Sequence, residues 1–209
     1  SRQRIRNNVF QDCKLAHQAQ ITGISHSVKE ILPPDLLDLT QLQKEANIRY
    51  GFTASEVYDI AQSLYEKKLI SYPRTSSRYL TEDVLDSLSP IMARLLSWEL
   101  FPAAKGTGGI DISSLSRHVI NAEKANVHHA IIITGIRPGN MSEKEMQVYR
   151  LVAGRMLETF MAPCRIETTN VEAVCAAQHF KAEQTRIIEA GWHDVFTAFR
   201  HGSKIRIFC

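Results

Sequence analysis

The stretch Thr53–Thr75, TASEVYDIAQSLYEKKLISYPRT, organises this chain. Thr53 and Glu56 stand at capping-box spacing, T-x-x-E, with Phe52 and Val57 at the flanking staple positions. Val57, Ile60, Ala61 and Leu64 then recur at i, i+3, i+4 and i+7, which is one apolar face of a helix. Lys67 and Lys68 put positive charge where the carbonyl end of that helix favours it. Leu69 to Tyr72 reads as a short extended run. Pro73 cannot continue a helix and pushes Tyr72 towards extended geometry. The stretch therefore predicts a capped helix that delivers a tyrosine on well-defined backbone.

Upstream, Pro33-Pro34 breaks any regular element, and Asp35 to Asn47 reads as a short helix with Leu36, Leu37, Leu39 and Leu42 inward. Before it, Ala19 to Glu30 is strand-like, with Ile21, Ile24 and Val28 as its apolar residues. Downstream, a helix starts at Thr81 and carries Leu85 and Leu88 before Pro90. Ile91 to Leu100 is a further helical segment, Lys105 to Gly109 a glycine-rich loop, and His118 to Ala125 another helical stretch. Ser142 and Glu145 form a second capping box, stapled by Met141 and Met146. The helix after it presents Met146, Tyr149, Val152, Met156 and Phe160 inward. Beyond Pro163 the period changes. Val171, Ala173 and Cys175 alternate with polar residues, as do Phe180 and Ala182 on a run towards Ile188, with a turn at Ala177 to His179. Gly191 and Trp192 end this hairpin, and Lys204 to Cys209 reads as a strand. The expected fold class is α+β. A mainly helical domain, 35–160, is inserted into a small antiparallel β domain built from 1–34 and 161–209.

Composition narrows the class. The 209 residues are 44% hydrophobic and 22% charged, which is ordinary globular usage with room for one large domain or two small ones. No apolar run approaches the roughly 18 residues of a membrane-spanning helix, and the basic N-terminus has no apolar core behind it. A cytoplasmic protein without a membrane partner is expected. Cys13, Cys164, Cys175 and Cys209 lack C-x-x-C spacing, so they read as reduced thiols rather than a zinc site. The net charge of +3 permits an acidic partner without demanding one. Lys67, Lys68, Arg74 and Arg78 cluster around Tyr72, either as a solvated basic face or as a contact for phosphate.

Tyr72-Pro73-Arg74-Thr75 carries the chemistry. A tyrosine that attacks a phosphodiester conserves the bond energy in a phosphotyrosine link, ready for resealing. A free phenol, with a pKa of about 10, needs a base or a positive field to act at neutral pH. Arg74, two residues on along an extended chain, projects to the same side and can hold a phosphate oxygen. By itself Tyr-x-Arg is a common pattern, most often a packed tyrosine beside a surface arginine.

The wider context is more specific. Ile70-Ser71-Tyr72-Pro73-Arg74-Thr75-Ser76-Ser77-Arg78-Tyr79-Leu80 resembles the active-site segment of type IA DNA topoisomerases, in the form typical of the topoisomerase III branch. Leu39-Thr40-Gln41-Leu42-Gln43 resembles the upstream L-x-x-L-Q motif of that family. Tyr50-Gly51-Phe52 with Gln62-Ser63-Leu64-Tyr65-Glu66 resembles its helix leading to the tyrosine. His128-His129-Ala130-Ile131-Ile132-Ile133-Thr134 resembles its H-x-A-I-x-P-T segment, and Glu189-Ala190-Gly191-Trp192 its E-x-G-W strand end. These matches run in order from about Leu32 to Trp192.

The resemblance implies that Tyr72 attacks single-stranded DNA and holds its 5′ phosphate. It implies that Arg74 stabilises the scissile phosphate and that His128 contacts phosphate near the cut. Arg78 and Thr134 are further candidates for DNA contact, equally readable as surface or packing residues. Ser76 stands where the family often has aspartate, and Ile133 where proline is usual. No D-x-D motif of the family's Toprim domain is present, and Asp35-Leu36-Leu37-Asp38 has the wrong spacing. The resemblance therefore implies a central fragment whose Toprim domain precedes Ser1, and Mg2+ is expected there rather than on this chain. It also implies a monomer whose helical domain is the moving gate and whose β domain is the hinge, inactive alone. The alternative is a non-catalytic nucleic-acid-binding module derived from the same fold.

Overall fold

The computed structural model describes residues 2–98, 100, 101, 119–121, 128–196 and 204–208. The loop expected at Lys105 to Gly109 lies outside the described residues, as do His118 and 122–125 of the helix expected at His118 to Ala125; the described 119–121 are not helical, and Ile120 bridges to Leu80. The chain divides into two compact units. One comprises Ser1–Ile31, Cys164–Ala190 and Arg200–Cys209; the other comprises Leu32–Pro163 and Gly191–Phe199. The second is inserted in the first, as an α+β architecture. Gly191–Phe199, which the sequence reading placed with the β part, returns to the helical unit.

The β unit is an antiparallel sheet of order β1-β2-β3-β4. Its strands are β1 (Gln20–Ile31), β2 (Cys164–Cys175), β3 (Gln178–Glu189) and β4 (Lys204–Phe208). β1 and β2 are neighbours although the helical unit separates them in sequence, with Ile24 opposite Val171 and Ile31 opposite Cys164. The β2–β3 turn is tighter than the sequence suggested. Cys175 pairs with Gln178, leaving Ala176 and Ala177 as a two-residue turn with φ of 49° and 63°. That turn needs two left-handed residues to follow the strand twist, a geometry alanine tolerates poorly. The unit also holds a helix the sequence reading missed, α1 (Arg2–Ala16). Its half-buried residues Val9, Cys13 and Ala16 form only a thin apolar stripe, which explains the omission.

The helical unit contains α2 (Leu39–Tyr50), α3 (Ala54–Glu66), α4 (Leu85–Ser97) and α5 (Glu143–Thr159). α2 starts later than expected because Asp38 is its cap, accepting from the Gln41 N–H at 2.7 Å. Leu37 before it is extended and bridges to Ile131. Both expected capping boxes are present, at Thr53/Glu56 and Ser142/Glu145. Beyond Thr81 a single 3₁₀ turn, Glu82–Val84, runs into α4, which continues through Pro90 rather than stopping there. Proline's φ suits a helix, and burial of Leu88, Ile91, Met92 and Leu95 compensates for the hydrogen bond its nitrogen cannot make.

α5 is the centre of the unit. Val148, Tyr149, Val152, Met156 and Leu157 are fully enclosed, and α2 and α3 pack on it. Its half-buried cation, Arg155, is satisfied by Glu45 at 2.8 Å, Glu158 at 2.9 Å and the Asp35 carbonyl at 3.2 Å. Burial pushes the Glu158 carboxyl up, and Arg155 opposes the shift. Gly154 is the point of closest approach, because a Cβ there would run into the ring of Phe196.

Candidate active site

The site begins where α3 ends. Lys68 takes a left-handed φ of 60°, while its N–H reaches the Tyr65 carbonyl at 2.8 Å and Leu69 N–H reaches the Leu64 carbonyl at 2.9 Å. This closes the helix in a Schellman-like turn and throws Leu69–Ser71 out as an extended segment. That segment is laced to 130–134. Ser71 N–H donates to the Ile132 carbonyl at 2.8 Å, Thr134 N–H donates to the Leu69 carbonyl at 3.1 Å, and Ile70 bridges to Ile133. Ser71 Oγ donates to the Ala130 carbonyl and accepts from Ile132 N–H, at 3.2 and 3.0 Å. On the far side of Tyr72, Pro73, Thr75 and Ser77 are buried while Arg74 and Ser76 are exposed. Buried Thr75 donates its hydroxyl to the His128 carbonyl at 3.1 Å, so the tyrosine segment itself positions the histidine.

The half-buried Tyr72 ring lies 4.5 Å from the His128 ring, centroid to centroid, and meets Tyr65 edge-on at 5.5 Å. The Arg74 guanidinium lies 6.0 Å from the Tyr72 ring and 5.4 Å over the Tyr58 ring. It donates to Gln62 Oε1 at 3.1 Å. Among the described residues it pairs with no carboxylate, whereas Lys67 pairs with Glu145 and Lys144 with Glu56. A cation with a neutral anchor keeps both its charge and several N–H donors for an incoming phosphate.

The structure thus brings Tyr72, Arg74 and His128 together, and gives the other two candidates partners of their own. Arg78 turns to Asp35 at 3.4 Å and Asp38 at 3.9 Å, so its charge is already balanced. Thr134 donates its hydroxyl to the Lys68 carbonyl at 2.6 Å, tying down the end of α3. His129 directs Nδ1 to the Ala130 carbonyl at 2.7 Å. Sequence reasoning gave no site role to Tyr58, Gln62 or Tyr65. The signal was present, since they recur at i, i+4 and i+7 on a face of α3 other than its core stripe.

The two departures from the family pattern differ in setting. Ile133 is fully buried and its N–H donates to Met156 Sδ at 3.1 Å, an interaction a proline could not make. Ser76 is exposed beside the site. Among the described residues no group of three or more His, Cys, Asp or Glu is placed to hold a metal ion. The described residues therefore do not fit a magnesium site.

A family model described as DNA topoisomerase matches residues 1–205. DNA topoisomerase 3 of Shouchella clausii is 36% identical over 179 residues, 82% of this chain and 24% of that protein. DNA topoisomerase 3 of Bacillus subtilis is 35% identical over 184 residues, 86% of this chain and 25% of that protein. The chain therefore spans about a quarter of the length of these relatives. In fold it is similar to full-length topoisomerase I from Thermotoga maritima, with a TM-score of 0.62, 21% identity, and coverage of 91% of this chain and 34% of that one. With the family model spanning nearly every residue, and with such relatives, this chain belongs to the type IA DNA topoisomerases, on the side of topoisomerase 3.

Proposed function

We propose that this chain carries the tyrosine half of a DNA gate that cuts single-stranded DNA, passes a strand and reseals the break. The observation that carries the reading is the grouping of Tyr72, Arg74 and His128 on a backbone laced into a packed core. Tyr72 Oη attacks phosphorus, the bond to the 3′ oxygen breaks, and the 5′ phosphate remains on the tyrosine. The phenolic proton leaves Tyr72 and the departing 3′ oxygen gains one, so the step balances and reverses. Arg74 binds a non-bridging oxygen as charge builds on it. His128, whose ring meets the phenol at a tilt, is assigned to the flanking phosphate. Magnesium and a Toprim domain are assigned to the remainder of a longer parent protein, and no step here is routed through them. The helical unit is the moving part and the sheet the hinge. The chain alone is inactive and binds single-stranded DNA weakly, through salt-sensitive backbone contacts.

Covalent trapping tests this. The full-length parent protein, with magnesium and a labelled single-stranded oligonucleotide, is quenched in denaturant and the adduct mapped by mass spectrometry. A 5′-phosphate adduct on Tyr72, absent in Tyr72→Phe, is the expected result. Salt-sensitive binding with no adduct would move the protein to the non-catalytic nucleic-acid-binding reading, with exposed Ser76 the first position to restore to aspartate.

A further inference from the structure

Arg74 is held by a short side-chain relay, and the relay has a direction. Tyr58, Gln62 and Glu66 recur every fourth residue along α3, so their side chains share one face of the helix. Glu66 Oε1 accepts from Gln62 Nε2 at 2.8 Å, and Gln62 Oε1 accepts from Arg74 at 3.1 Å. A carboxylate can only accept, so Glu66 takes the amino end of the amide. The carbonyl end is thereby turned to the guanidinium, which also rests over the Tyr58 ring at 5.4 Å.

We propose that Gln62 is the positioning residue for Arg74, oriented by Glu66, and that its neutrality is the functional point. This inference rests on the reading of Tyr72 and Arg74 given above. A glutamate at position 62 would grip the guanidinium more firmly, but it would also balance the charge meant for the scissile phosphate. An alanine would leave the charge free and the side chain unplaced. Glutamine anchors the arginine through a dipole and leaves the positive charge and the remaining N–H donors to DNA. Glu66 stays one side chain removed, so its negative charge sets the amide without pairing with Arg74.

The test uses the full-length parent protein and single-turnover cleavage of a labelled oligonucleotide, with equilibrium binding measured across salt. Gln62→Ala is expected to slow cleavage about tenfold with little change in affinity, because orientation is lost and charge is kept. Gln62→Glu is expected to slow it about a hundredfold. It should also make the slope of log affinity against log salt shallower by about 0.7, the loss of one phosphate contact on a single strand. Glu66→Gln, which still offers a carbonyl to Gln62, should stay within about threefold of wild type, while Glu66→Ala falls towards Gln62→Ala. In an Arg74→Ala background neither Gln62 variant should slow cleavage further, since the residue acts through the arginine. A merely structural glutamine would instead lower the melting temperature and slow both backgrounds equally. That outcome, or a Gln62→Glu no worse than Gln62→Ala, overturns the inference alone. Absence of any Tyr72 adduct in the wild type overturns the proposed function and this inference with it.

Discussion

The helical and β units keep their shape by different means. In the helical unit, side chains from four helices and the 130–133 segment are withdrawn from water, with Leu42, Val57, Leu64, Ile133 and Val152 fully enclosed. In the β unit, Cys164 and Cys175 are the only buried apolar residues among those described. Ile21, Ile24 and Val28 of β1 are 60%, 57% and 51% exposed. The sheet is held by its backbone ladder and by cross-strand pairs such as Arg186–Glu167 at 2.6 Å and Lys181–Glu172 at 2.8 Å. Close packing resists small displacements, because cores are dense and poorly compressible. A ladder between lightly buried strands bends and twists at smaller cost. The tyrosine sits in the unit that resists deformation.

The largest expected effect tests that contrast directly. Leu64→Ala opens the enclosed core beneath the site and is expected to cost about 2–5 kcal/mol. Ile24→Ala, on a side chain that stays more than half exposed, should cost well under 1 kcal/mol. Urea unfolding followed by tryptophan fluorescence and far-ultraviolet circular dichroism measures both, and equal losses would break the comparison.

Next in size is the α5 cap. Hydrogen bonds from Lys67, then from the Ser142 N–H and Ser63, hold the Glu145 carboxyl down to about 2 from an ordinary 4.5. A depressed carboxylate stabilises the fold above its unfolded pKa, and that stabilisation is lost as pH falls through the folded value. Unfolding free energy should therefore decline between about pH 4.5 and 2, and Glu145→Gln should flatten the decline. At neutral pH, Glu145→Ala should cost about 1–2 kcal/mol, the range for losing a cap. An unchanged acid limb in Glu145→Gln counts against the cap as the acid-sensitive point.

The hairpin turn should move the other way. Replacing Ala176-Ala177 by Asn-Gly relieves two left-handed alanines and is expected to stabilise the sheet by about 1–2 kcal/mol. If the melting point instead falls, the strand ladder does not limit the stability of the β unit. The smallest effect belongs to Lys181→Ala. The ammonium of Lys181 is the main influence drawing the Glu172 carboxyl down, yet both side chains are largely exposed. Little or no shift of the unfolding midpoint, and none in high salt, is expected by chemical denaturation.

The sequence was most readable where a local rule and the global fold agreed. Both capping boxes, the α3 stripe and the extended exit to Tyr72 follow from neighbours a few residues apart, and each is present. Legibility failed where a distant partner decides. Pro90 would stop an isolated helix, but core contacts on both sides of it carry α4 through. The ion pairs of Arg78 could not be read from its neighbours, because Asp35 and Asp38 lie some forty residues earlier. The Ala176-Ala177 turn carries none of the glycine or asparagine that usually announces such geometry, so its place shows only in the register of β2 on β3. The face of α3 that holds Arg74 was written in period four, but its polar residues read as ordinary solvated surface until the arginine folded back on them.

The lacing around Ser71 has a consequence for the time the site stays closed. Residues 128–134 form no helix and no extended strand, so irregular backbone there suggests amides that trade hydrogen with water quickly. Yet the amides of Ser71, Ala130, Ile131, Ile132 and Thr134 each donate to a partner on another segment, with Ala130 to Ile133 wholly inside. Their hydrogens are expected to exchange with the opening of the helical unit rather than with loop motion, which native-state hydrogen exchange measures. The exposed histidine beside the tyrosine is joined to this interior through its carbonyl, which accepts from the buried Thr75 hydroxyl, although the segment looks like a loop.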